Sequence, residues 1–215
     1  MIHSLYWPNT DRIIVDNHKR VMNHFGIEVH YHEERIDHGE WMDKVLMTDP
    51  DDVVMFFDID CIPNNRQIVD QTKEWVKENK SFMGISQASN HIKPCSHIFA
   101  APAFFCIHKE AWSKLLKPSF KALPWADVAE YVSYAAEMAG IRFKTLFPQY
   151  FYKRPENERW YLHSYGEYGI GTWFEGGIFH LYQGRMPQNQ ELFDKVCDTI
   201  VTGKQHFLKF EQSRG

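Results

Sequence analysis

Val53-Val54-Met55-Phe56-Phe57-Asp58-Ile59-Asp60-Cys61-Ile62-Pro63 is the stretch on which the reading of the chain turns. Residues 53–57 are apolar without interruption. A strand with one wet face would alternate, so this run predicts a strand covered on both faces, as central parallel strands are. Asp58 and Asp60, spaced i and i+2 at its end, project to the same side of the pleat. Ligands of open α/β sheets bind at that carboxyl end. Two carboxylates beside an apolar strand repel each other and lose hydration, and a bound cation relieves both costs. Hard oxygen donors select Mg²⁺ or Mn²⁺, ions that commonly bring phosphate oxygens with them. The competing reading is a solvated acidic turn, which is what a lone D-x-D usually is.

Outward from this strand, short apolar runs alternate with amphipathic stretches. Ile2 to Trp7 reads as a strand closed by Pro8, followed by a helix capped at Asn9 or Thr10. Its apolar positions Ile14, Val21, Met22 and Phe25 recur at helical spacing, and Gly26 falls at its C′ position. Ile27 to Tyr31 is a second strand and Trp41 to Met47 a short helix. Beyond Pro63 the pattern predicts a helix over Arg66–Glu78 and strands over Phe82–Ile85 and Ile98–Ile107, the latter interrupted at Pro102. Helices follow over Lys109–Leu116 and Ala126–Ala139, then a strand over Ile141–Phe147. Gln149–Glu175 reads as loops and short strands over one end of the sheet. A last helix spans Gln188–Thr202 and stops at Gly203. Strands alternating with helices imply one α/β domain with a mostly parallel sheet flanked by helices.

Composition sets outer limits. Lys and Arg number 24 against 28 Asp and Glu, a net charge of −4, which argues against a nucleic-acid-coating protein. Apolar residues at 44% supply a core, and no apolar run approaches the length needed to span a bilayer. The start carries no signal-peptide pattern, and the four cysteines, Cys61, Cys95, Cys106 and Cys197, are scattered. A disulfide scaffold and a zinc site are therefore not expected, and a cytoplasmic location is the default. The aromatic share of 15% suits sugar or nucleobase faces without deciding for either.

An apolar strand ending in D-x-D resembles the metal-binding motif of GT-A fold nucleotide-sugar glycosyltransferases. Further segments resemble that family in the same order. Ala101 to Trp112 is similar to its strand and helix beneath the acceptor site. Trp125-Ala126-Asp127-Val128-Ala129-Glu130, with Ala139-Gly140-Ile141, is similar to its acidic helix start and helix end. Gly176 to Tyr182 is similar to the late strand whose histidine completes the metal site. The resemblance covers residues 1–185, and it departs from the family where Ala126 precedes Asp127 in place of an acidic doublet.

The resemblance implies a single GT-A-like, Rossmann-like domain over 1–215: a nucleotide-binding half at 1–100, an acceptor half at 101–185, and a C-terminal helix and tail at 186–215. It implies transfer of a sugar from a nucleoside-diphosphate sugar to an acceptor hydroxyl with Mn²⁺ or Mg²⁺. Asp60 and His180 are the implied direct ligands, and Asp58 binds the ion through water or holds the ribose. Asp127 is the implied base if configuration inverts, supported by a helix dipole, with Glu130 one turn on as the alternative. Ser4, Tyr6 and Trp7 lie where the nucleobase sits, and either ring can stack on it. Lys44 is a candidate phosphate contact, and Tyr168–Glu175 reads as a substrate-side lid. His30, His32 and His38 lack a third ligand at suitable spacing and read as an exposed strand end, while Lys153, Arg154 and Arg159 form a small basic cluster. Two rivals stand beside transfer: a haloacid-dehalogenase-like phosphatase, which normally opens on its D-x-D, and a metal-dependent carbohydrate-binding module without turnover.

Overall fold

In the computed structural model, residues 1–92, 97–152 and 159–213 are described. The central sheet has six strands: β1 (Ile2–Tyr6), β2 (His30–Glu33), β3 (Val53–Asp58), β5 (Phe82–Ala88), β6 (Ile98–His108) and β7 (Lys144–Leu146), in the spatial order β2-β1-β3-β6-β5-β7. Pairings β1–β2, β1–β3 and β5–β7 are parallel, whereas β6 runs antiparallel to both its neighbours, β3 and β5. The apolar run of β3 is buried as expected, with Met55 and Phe57 on one face and Val54 and Phe56 on the other. Its partners are one parallel and one antiparallel strand. An unbroken apolar run therefore reports two-sided burial and not the direction of the neighbours.

Helices α1 (Arg12–His24) and α3 (Arg66–Asn79) cover the face carrying Met55, and α2 (His38–Thr48), α4 (Lys109–Lys114) and α5 (Glu130–Met138) cover the other. The α1 cap is Asp11, whose side chain accepts from the Ile13 amide at 3.0 Å, one residue beyond the predicted Asn9 or Thr10. Gly26 follows α1 with φ +64, the left-handed conformation a helix stop requires. β6 passes through Pro102 without a break. The pairing jumps there, from Gly84↔Phe105 to Ile85↔Ala101, so the proline sits in an irregularity where its missing N–H disturbs no ladder.

β4 (Cys61–Pro63), β8 (Pro148–Tyr152), β11 (Gly171–Phe174), β12 (Ile178–Leu181) and β13 (Phe210–Gln212) form a second, antiparallel sheet ordered β13-β8-β11-β12-β4. β9 (Arg159–Tyr161) and β10 (Glu167–Gly169) make a separate pair. α6 (Pro187–Thr202) packs on α1, where Asn17 donates to Asp194 at 2.9 Å. The predicted lid at Tyr168–Glu175 is instead core: Tyr168, Ile170 and Phe174 are buried, and the Tyr168 hydroxyl donates to the Ala88 carbonyl at 3.1 Å. Among the described residues no helix is long and apolar enough to cross a membrane. Lys153, Arg154 and Cys95 lie outside the described residues; Arg159 pairs with Glu167 at 2.9 Å.

Candidate metal centre and cleft

β3 ends at Asp58, and after a two-residue turn the chain enters β4, which belongs to the other sheet. β4 pairs with β12 so that Cys61 faces His180, and the Leu181 amide donates to the Asp60 carbonyl at 2.9 Å. The crossing from one sheet to the other therefore delivers a histidine from late in the chain onto the aspartate turn. Asp58, Asp60 and His180 each offer a ligand atom, all within 4.8 Å of one another. His180 Nε2 stands 3.5 Å from Asp60 Oδ1 and 3.9 Å from Asp58 Oδ2. Those spacings are long for hydrogen bonds.

The donor set fits a divalent ion. Burial raises the Asp58 carboxyl above its ordinary range, the Asp60 charge pushes it the same way, and His38 and His180 oppose both. His180 is nearly enclosed and its Nδ1 is buried without a hydrogen-bond partner, so its polar contacts lie on the edge facing the carboxylates. Two oxygen donors and one nitrogen held near one another are what Mn²⁺ or Mg²⁺ coordinates, the nitrogen favouring Mn²⁺.

The aspartates open into a cleft of about 350 Å³ lined also by Tyr6, Trp7, His38 and Gln183–Arg185. A larger surface hollow of about 950 Å³ lies at the other end of β3, around Asp51 and Asp52, away from the metal-ligand trio. Trp7 is 40% exposed, its indole N–H donating to the Ile36 carbonyl at 3.2 Å, whereas Tyr6 is 7% exposed with its hydroxyl on Glu33 at 3.2 Å. Of the two rings, Trp7 has the open face. At Gly184 a Cβ would lie 2.8 Å from Asp60 Oδ2, so glycine lets this loop close against the carboxylate. Next to it Arg185 is exposed into the cleft with no carboxylate partner among the described residues.

Other sequence-predicted residues do not line this cleft. Ser4 is fully buried in β1 and does not line the cleft. Lys44 pairs with Glu34 at 3.2 Å on the outer side of α2. α5 begins at Glu130 and not at Ala126, because Ala129 takes φ +67 and its amide is drawn to the Phe120 carbonyl at 2.9 Å. Asp127 thus sits in the turn ahead of the helix, 22% exposed, holding the Val128 amide at 2.8 Å, with His91 3.7 Å away. Glu130 is fully buried. One of its oxygens accepts from Ser89 at 2.6 Å and the Asp127 amide at 2.7 Å, and the other lies 3.0 Å from His97 Nδ1. Burial would raise Glu130, but those hydrogen bonds outweigh it and hold the carboxyl below its usual range. Glu130 braces the turn and is not placed to meet an acceptor.

Sequence reasoning missed His38 and Arg185. His38 Nε2 lies 3.3 Å from Asp58 Oδ1, and its signal was the position at a helix start, which matters only once α2 is packed beside β3. Arg185 lies five residues after His180, in the loop that closes on Asp60.

No protein-family profile matches the sequence, and no curated protein sequence is similar to it. Among solved structures, the glycosyltransferase GlyE of Streptococcus pneumoniae TIGR4 aligns with a TM-score of 0.43 at 9% identity, over 67% of this chain and 44% of its own. A glycosyltransferase involved in glycosylation of the major capsid of PBCV-1 gives 0.38 at 15% identity, over 66% of this chain and 78% of its own. CMP:2-keto-3-deoxy-manno-octonic acid synthetase, in complex with CTP, gives 0.38 at 9%, over 67% and 88%. The chain thus spans less than half the length of the first of these. Likenesses this distant assign neither a family nor an activity.

Proposed function

We propose that the chain is a divalent-metal-dependent glycosyltransferase of the GT-A type, moving a sugar from a nucleoside-diphosphate sugar to an acceptor hydroxyl. The observation supporting this is the convergence of Asp58, Asp60 and His180, from two sheets, with the two aspartates opening into a cleft that Trp7 and Arg185 also line. In this reading Asp60 and His180 hold Mn²⁺ or Mg²⁺ directly, and Asp58 adds one oxygen to the same ion, directly or through water, or holds the ribose. The ion, when bound, stabilises the charge that gathers on a departing diphosphate. The chain supplies the rest. Arg185 offers a guanidinium with no carboxylate partner among the described residues, and its fork matches phosphate oxygens. Trp7 offers a ring face to the nucleobase. Asp127 takes the acceptor proton if configuration inverts, or orients the acceptor if it is retained. Residues 1–100 then form the nucleotide half, and 101–185 the acceptor half, which lends His180 to the metal.

Incubation with a panel of nucleoside-diphosphate sugars and Mn²⁺ tests the reading. Slow release of nucleoside diphosphate is expected. Cleavage of an aryl phosphate without such release would indicate a phosphatase, and binding without either reaction would indicate a carbohydrate-binding module. With a working donor, Asp127→Asn is expected to lower turnover about 100-fold or more while leaving donor affinity unchanged. Unaltered turnover removes Asp127 from the mechanism.

A further inference from the structure

His38 reaches the metal centre from a helix that takes no other part in it. Asp37 caps α2, its side chain accepting from the Glu40 amide at 3.0 Å, so the backbone of His38 is fixed in a formed first turn. The His38 ring stacks on Trp41 with centroids 5.7 Å apart and planes 30° from parallel. Trp41 is itself buried and meets Phe56 edge-on at 5.3 Å, so the histidine rests on a rigid part of the core. From that seat Nε2 comes within 3.3 Å of Asp58 Oδ1, and among the described residues it pairs with no other carboxylate. The trio with mutually close ligand atoms is Asp58, Asp60 and His180, and His38 stands outside it. The other Asp58 oxygen, Oδ2, is the one facing His180, at 3.9 Å.

The two oxygens of Asp58 are therefore divided between two neighbours. We infer that His38 is a positioning residue: its Nε2 edge, 3.3 Å from Asp58 Oδ1 and not in hydrogen-bond geometry as it stands, draws that oxygen aside, so that Asp58 turns only Oδ2 towards a bound ion. A carboxylate torsion is broad and nearly two-fold, so without that contact Asp58 can swing and offer both oxygens. Carboxylates that serve metals are commonly held this way by an outer partner. The consequence is selectivity. A single presented oxygen suits the small ions Mn²⁺ and Mg²⁺, while Ca²⁺ accepts bidentate carboxylates and looser geometry. This inference rests on the metal-centre part of the proposed function.

Calorimetric titration of the full chain with MnCl₂ and, separately, with CaCl₂ tests it, alongside thermal melting without metal. His38→Ala is expected to weaken Mn²⁺ binding about tenfold while Ca²⁺ binding stays level or strengthens. His38→Gln, whose amide can donate to the same oxygen, is expected to restore most of the Mn²⁺ preference. An unchanged Mn²⁺ affinity in His38→Ala overturns the inference, as does an equal loss for both ions or a failure of Gln to rescue. A wild-type chain that binds no Mn²⁺ overturns the metal centre and His38's role with it. A wild-type chain that binds Mn²⁺ but releases no nucleoside diphosphate sinks sugar transfer and leaves His38's role intact.

Discussion

The central strands β1 and β3 carry aspartate and histidine at both ends, and the two ends are built differently. At the amino end His3 Nε2 meets Asp49 Oδ2 at 2.6 Å, and His3 Nδ1 meets His32 Nε2 at 3.0 Å. The second Asp49 oxygen accepts from the Asp51 amide at 2.6 Å. Burial by itself would raise Asp49, but hydrogen bonds from His3 and the Asp51 amide outweigh it and hold the carboxyl below its ordinary range. Burial likewise keeps His3 below its ordinary value, so a neutral ring donates to an anionic partner. At the carboxyl end two carboxylates share one corner, their histidine contacts stretch from 3.3 to 3.9 Å, and Asp58 is raised. Residue type does not separate a structural cluster from a binding site. Charge balance and saturation do. The amino end is complete as it stands, whereas the carboxyl end sets two carboxylates side by side with longer contacts, an arrangement a cation would relieve.

The sharpest way to break this contrast is to truncate one aspartate at each end. Asp49→Ala leaves buried His3 without its acceptor and is expected to cost about 1–3 kcal/mol of folding stability in urea titration, with Mn²⁺ affinity unchanged. Asp60→Ala is expected to do the reverse. Mn²⁺-dependent donor binding falls at least about 100-fold, roughly 2.7 kcal/mol, while stability stays level or rises because a like-charge pair is relieved. If Asp60→Ala destabilises the fold as much as Asp49→Ala, both ends are structural and the metal centre is lost.

The asymmetry also explains how much was legible in the chain. The turn at Asp58–Asp60 announces itself, because an apolar run fixes the strand and i, i+2 spacing fixes the side. His180 was legible through family resemblance, and its meeting with the aspartates depends on β4 leaving one sheet for another, which no local pattern encodes. His38 looked like part of an exposed strand end because helical packing beside β3 is a long-range event. The start of α5 was misplaced because tertiary contact overrides propensity: Ala126 and Ala129 are good helix formers, yet Ala129 adopts φ +67 with its amide on the Phe120 carbonyl. Tyr168–Glu175 looked like a lid because glycine and aromatics mimic loop composition, whereas its rings fill the core between sheets.

Acid tests the buried histidines by a smaller effect, His3 and His32 at the amino end and His18 beside Phe57 and Tyr31. His3 and His32 are held below their usual value by burial, and fully buried His18, hydrogen-bonded to the Tyr31 hydroxyl at 3.0 Å, is lowered to about 3. Above pH 6.5 these rings are neutral whether the chain is folded or not, so they contribute no pH dependence. Below it the unfolded chain takes up protons that the fold refuses, and stability is lost until the folded values are reached. Between pH 7 and pH 5 His18 alone corresponds to about 2 kcal/mol. The depressed Asp49 adds its own loss only at lower pH, once unfolded carboxylates begin to protonate. Urea midpoints at pH 7 and pH 5 check this, and equal stability at the two values would mean that the histidines are not held neutral.

The smallest expected effect concerns the two rings at the end of β1, which the sequence offered as equals. Tyr6 has its hydroxyl engaged by Glu33 and almost no open surface, while Trp7 is tethered through its indole N–H with a face left to the cleft. If the carboxyl end receives a nucleotide, removing the open ring should be felt in binding and removing the Tyr6 hydroxyl should not. Trp7→Ala is expected to weaken nucleoside diphosphate binding in the presence of Mn²⁺ about tenfold, in the range of one stacked base, with melting temperature little changed. Tyr6→Phe is expected to leave binding at wild-type strength. Equal affinity in Trp7→Ala would move the nucleobase elsewhere along the cleft, towards Arg185, and leave the aspartates' role to be judged on the metal alone.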